Sequence, residues 1–437
     1  MPLPPEPRPR RRPVSAWAML LALTGAFALS QAYRTVAAIM AAPLQSEFQL
    51  STQSLGLFAA AFHFAFGAMQ LFMGLGIDLH GVRRTVLVAF PLAIAGSVLS
   101  ALAGNFGLLL LGQVLIGIGC APAFLVCTVF IAHHFPPERF TAVSGTIMGL
   151  GGLGMLFTGT PLAWLIDAGS WRTGFWVLGG GGALAWLAIL WLVHEPARPN
   201  APHAGSETLG AAVRQLGTLF AMRHTLGIVA LAAVAYASFI ALRGLWLGPM
   251  LIERHGFSLV ASGNVALVMS LVSLVSPPLF GRPGTDARRR RWLTGFTLGT
   301  AALFALLAFG RNAALDVALV IVLGGLSGYM LLQYAVVKAA YPPAMTGRAL
   351  ALFTMAMFLG IALMQWLTGL AASVAKAHGI DPIQAALLAI AALLVAGAIA
   401  FVWLPGPKTI GESTGAGADP GEGGEDAARL PARRSGD

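Results

Sequence analysis

The sequence predicts an all-α polytopic membrane protein whose twelve transmembrane helices form two pseudo-symmetric six-helix bundles. Three observations carry this. Of 437 residues, 57% are hydrophobic and 10% charged, against about 25% charged in soluble domains, and mean hydropathy is +0.78. Twelve apolar runs each reach about the 20 residues that a helix needs to cross a bilayer core ~30 Å thick. A polar stretch with Pro196, Pro199 and Pro202 then separates the first six runs from the last six. A soluble enzyme, a nucleic-acid-binding domain and a disordered scaffold are excluded by this balance.

The Pro/Arg-rich arm 1–15 is expected to be disordered and cytoplasmic. Span 1 covers 16–42, and its length marks it as an uncleaved membrane helix, not a secretory signal. Spans 2 to 6 follow at 54–75, 85–103, 106–132, 141–166 and 173–193, so that 16–194 is the first bundle. Residues 195–224 read as a cytoplasmic linker. The second bundle, 225–404, holds spans 7 to 12 at 225–252, 259–280, 292–310, 317–340, 349–372 and 384–404. The Gly/Asp/Glu-rich tail 405–437 has no apolar periodicity and is expected to be a disordered cytoplasmic segment.

Charge orients the chain. With the amino terminus inside, the inner segments hold 20 of the 27 basic residues and the outer loops hold 4, Arg172, Arg254, Arg311 and Lys376. That bias places both termini in the cytoplasm of a bacterial inner membrane, and it accounts for the net charge of +10 without nucleic acid as a partner. Cys120 and Cys127 lie seven residues apart in one run, about 10 Å along a helix, too far for a disulfide.

The halves repeat. Arg243 follows Arg34 by 209 residues and Arg348 follows Arg139 by the same interval. Parallel six-helix halves place a solute site at the midplane between them. Between spans 2 and 3 the sequence reads GLGIDLHGVRR, with Gly74, Asp78, Gly81, Arg83 and Arg84. A carboxylate at the end of span 2 can pair with Arg83 or Arg84 or cap a neighbouring helix, latching one conformation.

The spacing of this loop resembles the signature loop of the major facilitator superfamily. Trp171, Arg172 and Phe175 resemble its WRxxF segment, and Gln113, Gly117 and Gly119 occupy the place of its helix 4 motif. The resemblance covers all twelve spans and implies a secondary transporter working by alternating access. It implies no enzyme activity and no cofactor, and the expected unit is a monomer.

Inside the runs stand three full charges, Arg34, Arg243 and Lys338, and no Asp or Glu. An Arg at the centre of a membrane helix costs about 2.5–3.5 kcal/mol on insertion scales, and no carboxylate in the runs offsets it. Arg34 and Arg243 sit at matching depths in spans 1 and 7, where two forked guanidiniums suit one anionic group. Lys338, three residues from the end of span 10, is expected to snorkel. The arginine pair resembles the one that binds phosphate in organophosphate:phosphate antiporters. Those carry a Lys in span 2 where this chain has Gln70, so a carboxylate or another oxyanion is as open as an organic phosphate.

Tyr33, Trp246, Tyr334 and Gln365 are the further candidates for binding, and His63 is a candidate proton carrier because it titrates near neutrality. The partners expected are therefore the lipid bilayer and a small anionic metabolite. A proton-linked exporter of neutral or cationic compounds is the alternative. Readings of a different class are a transporter-like membrane sensor and a membrane-embedded enzyme, but no paired carboxylates, His-x3-His or Cys/His cluster supports catalysis or a metal site.

Overall fold

The computed structural model describes residues 15–194, 217–280 and 286–404. The arm, most of the linker and the tail lie outside them, as does Gly281 at the start of the 8–9 loop. Every regular element among the described residues is helical. Ten helices are long and apolar enough to cross a membrane. One of them, Thr52–Ala101, is 50 residues long, about 75 Å at 1.5 Å per residue and thus two passes. It is broken at Gly81, whose φ of 82° and ψ of 170° leave the helical region and suit only glycine. With the shorter apolar helix Leu259–Val275, the twelve spans are accounted for.

Observed spans run a few residues past their apolar runs. Span 1 extends to Phe48, span 10 begins at Ala313, and span 11 covers Pro343–Ala377. This corrects one sequence reading: carboxylates do stand within the helices. Asp316 lies in the first turn of span 10, fully buried, and Glu47 and Glu253 lie in the last turns of spans 1 and 7. All three are at the end of the bundle away from the linker, called distal below.

The repeat is visible in how the chain terminates its helices. Ser51 caps span 2 by accepting from the Ser54 N–H, and Ser258, 207 residues on, caps span 8 in the same way through Ala261. Asn105 and Asn312 cap spans 4 and 10 at the same interval. Each cap satisfies an N–H that would otherwise be orphaned, a gain of about 1 kcal/mol.

The repeat also appears as an ion pair with its signs exchanged. In the first half, Glu47 at the end of span 1 takes a bidentate contact from Arg172 at the start of span 6, at 2.6 and 2.9 Å. Arg172 also donates to the Ala103 carbonyl after span 3, at 3.0 Å. In the second half, Arg254 at the end of span 7 meets Asp381, the residue 209 after Arg172, at 3.2 Å and donates to the Leu307 carbonyl of span 9 at 2.9 Å. Both knots tie the distal ends of equivalent spans, 1-3-6 and 7-9-12.

At the distal end the halves meet along two glycine seams and along spans 1 and 7, where a Cβ on Gly248 would meet the Ala38 carbonyl. Spans 2 and 11 cross where Gly56 faces Gly369, and spans 5 and 8 cross where Gly159 faces Gly263. Gly263 follows Gly56 by 207 residues and Gly369 follows Gly159 by 210, so one crossing is the rotated copy of the other. Glycine is required because a Cβ on Gly56 would stand 2.6 Å from the Gln365 carbonyl oxygen. Small residues let membrane helices approach to backbone contact. Hydrogen bonds from Thr52 to Ser373 at 2.9 Å and from Thr160 to Asn264 at 2.6 Å seal the same end. Towards the linker end of span 5, Gly145 and Gly149 have nothing within 4 Å of a would-be Cβ.

Candidate functional site

Discontinuities in the helices position the site. The first span of each three-helix group is interrupted near its middle. Span 1 breaks at Arg34–Thr35 and span 4 at Ala121–Pro122, while span 7 widens into a π-turn at Leu242–Trp246 and span 10 tightens into a 3-10 turn at Ser327–Tyr329. Span 5 breaks at Thr158–Gly159. Broken helices free backbone polar groups inside the membrane, and these are tolerated where protein or a cavity satisfies them. Gln70 does so for span 4, donating to the Ala121 carbonyl at 3.2 Å. Thr35 and Thr158 join the breaks of spans 1 and 5 through a 2.6 Å hydrogen bond.

Arg34 stands at the break of span 1 and is nearly buried, at 6% exposure. Its guanidinium lies 4.7 Å from the Phe66 ring of span 2 and 4.6 Å from the Phe358 ring of span 11, and the two rings are 4.4 Å apart. One aromatic comes from each half, so the cation rests on a platform built across the seam. Tyr236 of span 7, Tyr334 of span 10 and Cys120 of span 4 are polar neighbours of Arg34. Arg34 Nε is buried without a partner.

His63 and Gln365 fill the seam beside Arg34. His63 Nδ1 lies 3.1 Å from the Ala59 carbonyl, which fixes that nitrogen as the donor and leaves Nε2 an acceptor. His63 and Gln365 neighbour one another, and His63 Nε2 and both amide atoms of Gln365 are buried with no well-formed hydrogen bond.

Arg243 has the equivalent place in span 7 but a different environment. It is fully buried. Its Nε donates to the Ala266 carbonyl at 3.1 Å and to Ser270 Oγ at 2.8 Å, both on span 8. Its Nη2 donates across the halves to the Met155 carbonyl at 2.9 Å and to Thr158 Oγ1 at 3.3 Å, both on span 5. The Met155 carbonyl is free to accept because the Gly159 N–H, its helical partner, turns to Leu156 at the break.

The structure therefore brings Arg34, His63, Tyr334 and Gln365 together and sends Arg243 to the other seam. Backbones stay close, since a Cβ on Gly244 would lie 2.9 Å from the Arg34 carbonyl oxygen. Tyr33 turns into its own half, where its hydroxyl donates to Ser97 at 2.9 Å. Trp246 donates to Thr368 of span 11 at 2.9 Å. Phe66, Phe358 and Tyr236 were not singled out by the sequence. Tyr236 was within reach of it, lying seven residues before Arg243 and so on the same helix face.

At the linker end, Asp78 and Arg84 are exposed and Arg83 donates to the Leu190 carbonyl of span 6 at 2.9 Å. Gly74 has room beside Leu125. Lys338 is exposed near the end of span 10, as expected of a snorkelling side chain. Cys120 and Cys127 are free, buried thiols.

The family model of the Major Facilitator Superfamily matches residues 22–363. The chain belongs to the major facilitator superfamily. Among curated relatives, the hexuronate transporter of Bacillus subtilis (strain 168) is 24% identical over 247 residues, 55% of this chain and 58% of the relative. The probable sulfoacetate transporter SauU of Cupriavidus necator is 29% identical over 151 residues, 34% of this chain and 35% of the relative. The matched stretches thus span about half or less of these relatives. Solved structures cover more. The D-xylose-proton symporter superposes with a TM-score of 0.70 at 17% identity, over 90% of this chain and 98% of that one. A bacterial homologue of the human lysosomal transporter Spinster, inward-facing and unoccupied, gives 0.67 at 20% identity over 89% and 95%. These likenesses support the superfamily fold and a multi-pass membrane protein.

Proposed function

We propose that this superfamily member is a secondary transporter that moves a small anionic metabolite across the bacterial inner membrane by alternating access. Candidate solutes are an organic phosphate, a carboxylate or another oxyanion. The observation that carries the reading is Arg34. Its guanidinium is buried between the halves, and among the described residues no carboxylate pairs with it. A buried cation is stable only when paired or hydrogen-bonded, and an anionic solute supplies the missing partner. Two relatives carry the names of anions, hexuronate and sulfoacetate.

The excess of basic residues supports a cytoplasmic linker end; the sealed distal end then faces outward and this conformer is closed to the outside. In it Arg34 is the arm on offer, with Tyr334 and Gln365 as walls. Arg243 offers only Nη1 as it stands and adds its full fork after leaving Met155 and Thr158. His63, with Nε2 next to Gln365, is the group placed to carry a proton. Asp78, Arg83 and Arg84, with Gly74 and Gly81, form the latch of the linker end.

Counterflow in proteoliposomes loaded in turn with phosphate, sugar phosphates, monocarboxylates and dicarboxylates tests the reading. Uptake of one anion that is lost in Arg34→Gln is expected. Movement of only neutral or cationic compounds, or full anion uptake by Arg34→Gln, refutes it.

A further inference from the structure

We infer that Arg243 is the bolt of the distal closure, holding the two halves together across the seam of spans 5 and 8. The inference does not depend on the charge of the solute. It rests on where Nε and Nη2 go, Nη1 being buried without a partner. Nε ties spans 7 and 8 within the second half, whereas Nη2 crosses to the Met155 carbonyl and Thr158 of the first half. The acceptors on span 5 exist because that helix is broken at Thr158–Gly159, and the π-turn of Leu242–Trp246 places Arg243 at their level. The Leu247 N–H bonds to the Leu242 carbonyl five residues back, which widens the turn.

The seam has no other buried cation among the described residues, and its copy, the seam of spans 2 and 11, is built differently. There Arg34 rests on aromatic faces, and His63 and Gln365 keep atoms with no well-formed hydrogen bond. Two positions equivalent in the repeat thus divide the work: one cation lies on aromatic faces, and the other commits Nε to span 8 and Nη2 across the seam, with only Nη1 left unpaired. Opening the distal end separates span 5 from span 8. It must therefore break charged hydrogen bonds to Met155 and Thr158 in a water-excluded setting, where each such bond is stronger than in water. A guanidinium suits the task because its fork reaches both halves at once, which an ammonium does not.

The test is the distance between spin labels at Leu102→Cys and Ile380→Cys, exposed distal positions on opposite halves. Labelling is selective because the native Cys120 and Cys127 are buried. Distributions are compared for protein with Arg243 intact, Arg243→Gln, Arg243→Lys, Thr158→Val and Ser270→Ala, each shown to be folded by size-exclusion profile and circular dichroism. In Arg243→Gln and Arg243→Lys the ratio of long to short distances is expected to rise at least tenfold, about the worth of one charged hydrogen bond. Thr158→Val is expected to give a smaller rise. Ser270→Ala, which touches only the contact within the second half, is expected to keep the original distribution. Unchanged distributions in both Arg243 variants overturn the bolt, as does an equal shift in Ser270→Ala, which would make Arg243 a packing residue of the second half. Should Arg243→Gln fail to fold, Arg243→Lys and Thr158→Val decide by the same readout.

Discussion

Gly56→Ala probes the seam between spans 2 and 11 with a single methyl group. A Cβ there would stand 2.6 Å from the Gln365 carbonyl oxygen and 3.0 Å from Gly369 Cα. Comfortable contacts lie near 3.5 Å, so the helices must separate by about 1 Å. Both obstacles are backbone atoms, which removes the cheap escape of a side-chain rotation. Overpacking of this kind costs about 1–3 kcal/mol, a shift of about fivefold to 150-fold in the ratio of closed to open molecules. The cost falls on the distal-closed state alone, because the two glycines part when the seam opens. Gly149→Ala is the control, since nothing lies within 4 Å of its Cβ. Distances between labels at Leu102→Cys and Ile380→Cys read the outcome. At least fivefold more of the long-distance population is expected for Gly56→Ala, with no change for Gly149→Ala. A Gly56→Ala protein that is folded and keeps the original distribution would refute the argument that these backbones touch in the closed state.

Burial should rank the two distal ion pairs. Glu47 and Arg172 are 39% and 35% exposed, so Glu47→Gln is expected to cost less than about 1 kcal/mol. Arg254 is 5% exposed and lies 3.9 Å from the fully buried Asp316 carboxylate. Arg254→Gln is expected to cost more than Glu47→Gln, because it takes a nearly buried cation from both Asp381 and Asp316 and leaves Asp316 with His255 Nε2 at 2.8 Å. Thermal unfolding in one detergent compares the two, and equal losses would contradict the ranking. Asp381 supplies a pH dependence. Burial opposes its charged form, but donation from the Gln384 and Ile383 N–H groups and from Arg311, with the charge of Arg254, holds it below the ordinary carboxylate range. A depressed value stabilises the fold above about pH 4, the unfolded value, and that contribution is lost as pH falls through the folded one. Asp381→Asn is expected to flatten the loss of thermal stability below about pH 4. Gly81→Ala, at φ 82°, is expected to cost about 1–2 kcal/mol, read as a lower unfolding temperature.

The sequence showed what depends on composition and left hidden what depends on backbone. Twelve apolar runs gave every span within a few residues, because the bilayer enforces length and hydropathy. Gly81 was legible as part of a motif, and its positive φ explains the glycine. The breaks at Arg34–Thr35 and Thr158–Gly159 were not read from the sequence, since each falls inside a run long and apolar enough for one span, although Gly159 and Pro161 mark the second. The partners of Arg243 were hidden as well. Two of its four acceptors are main-chain carbonyls, of Met155 and Ala266, which no residue type announces. Asp316 was missed by one residue, because the apolar run of span 10 begins at 317 while the helix begins three residues before the carboxylate.

The repeat itself explains how two matched arginines acquire different surroundings. An offset of about 209 residues carries over caps, crossings and helix breaks, all of which depend on backbone geometry. It does not carry over side-chain chemistry. Glu47–Arg172 becomes Arg254–Asp381 with the signs exchanged, and each pair still ties three spans because attraction is indifferent to which helix bears which charge. In the same way, Ser270 follows His63 by 207 residues and Gln365 follows Met155 by 210, so the seam at Arg34 has His63 and Gln365 where the seam at Arg243 has Ser270 and Met155, with Phe66 and Phe358 added beside Arg34. Aromatic faces hold a guanidinium without consuming its in-plane donors, whereas Ser270, Thr158 and the carbonyls take up Nε and Nη2 of Arg243 and leave Nη1. A solute approaching from the linker end therefore meets one arginine lying on aromatic rings and one engaged through Nε and Nη2, of which only Nη1 stays without a partner.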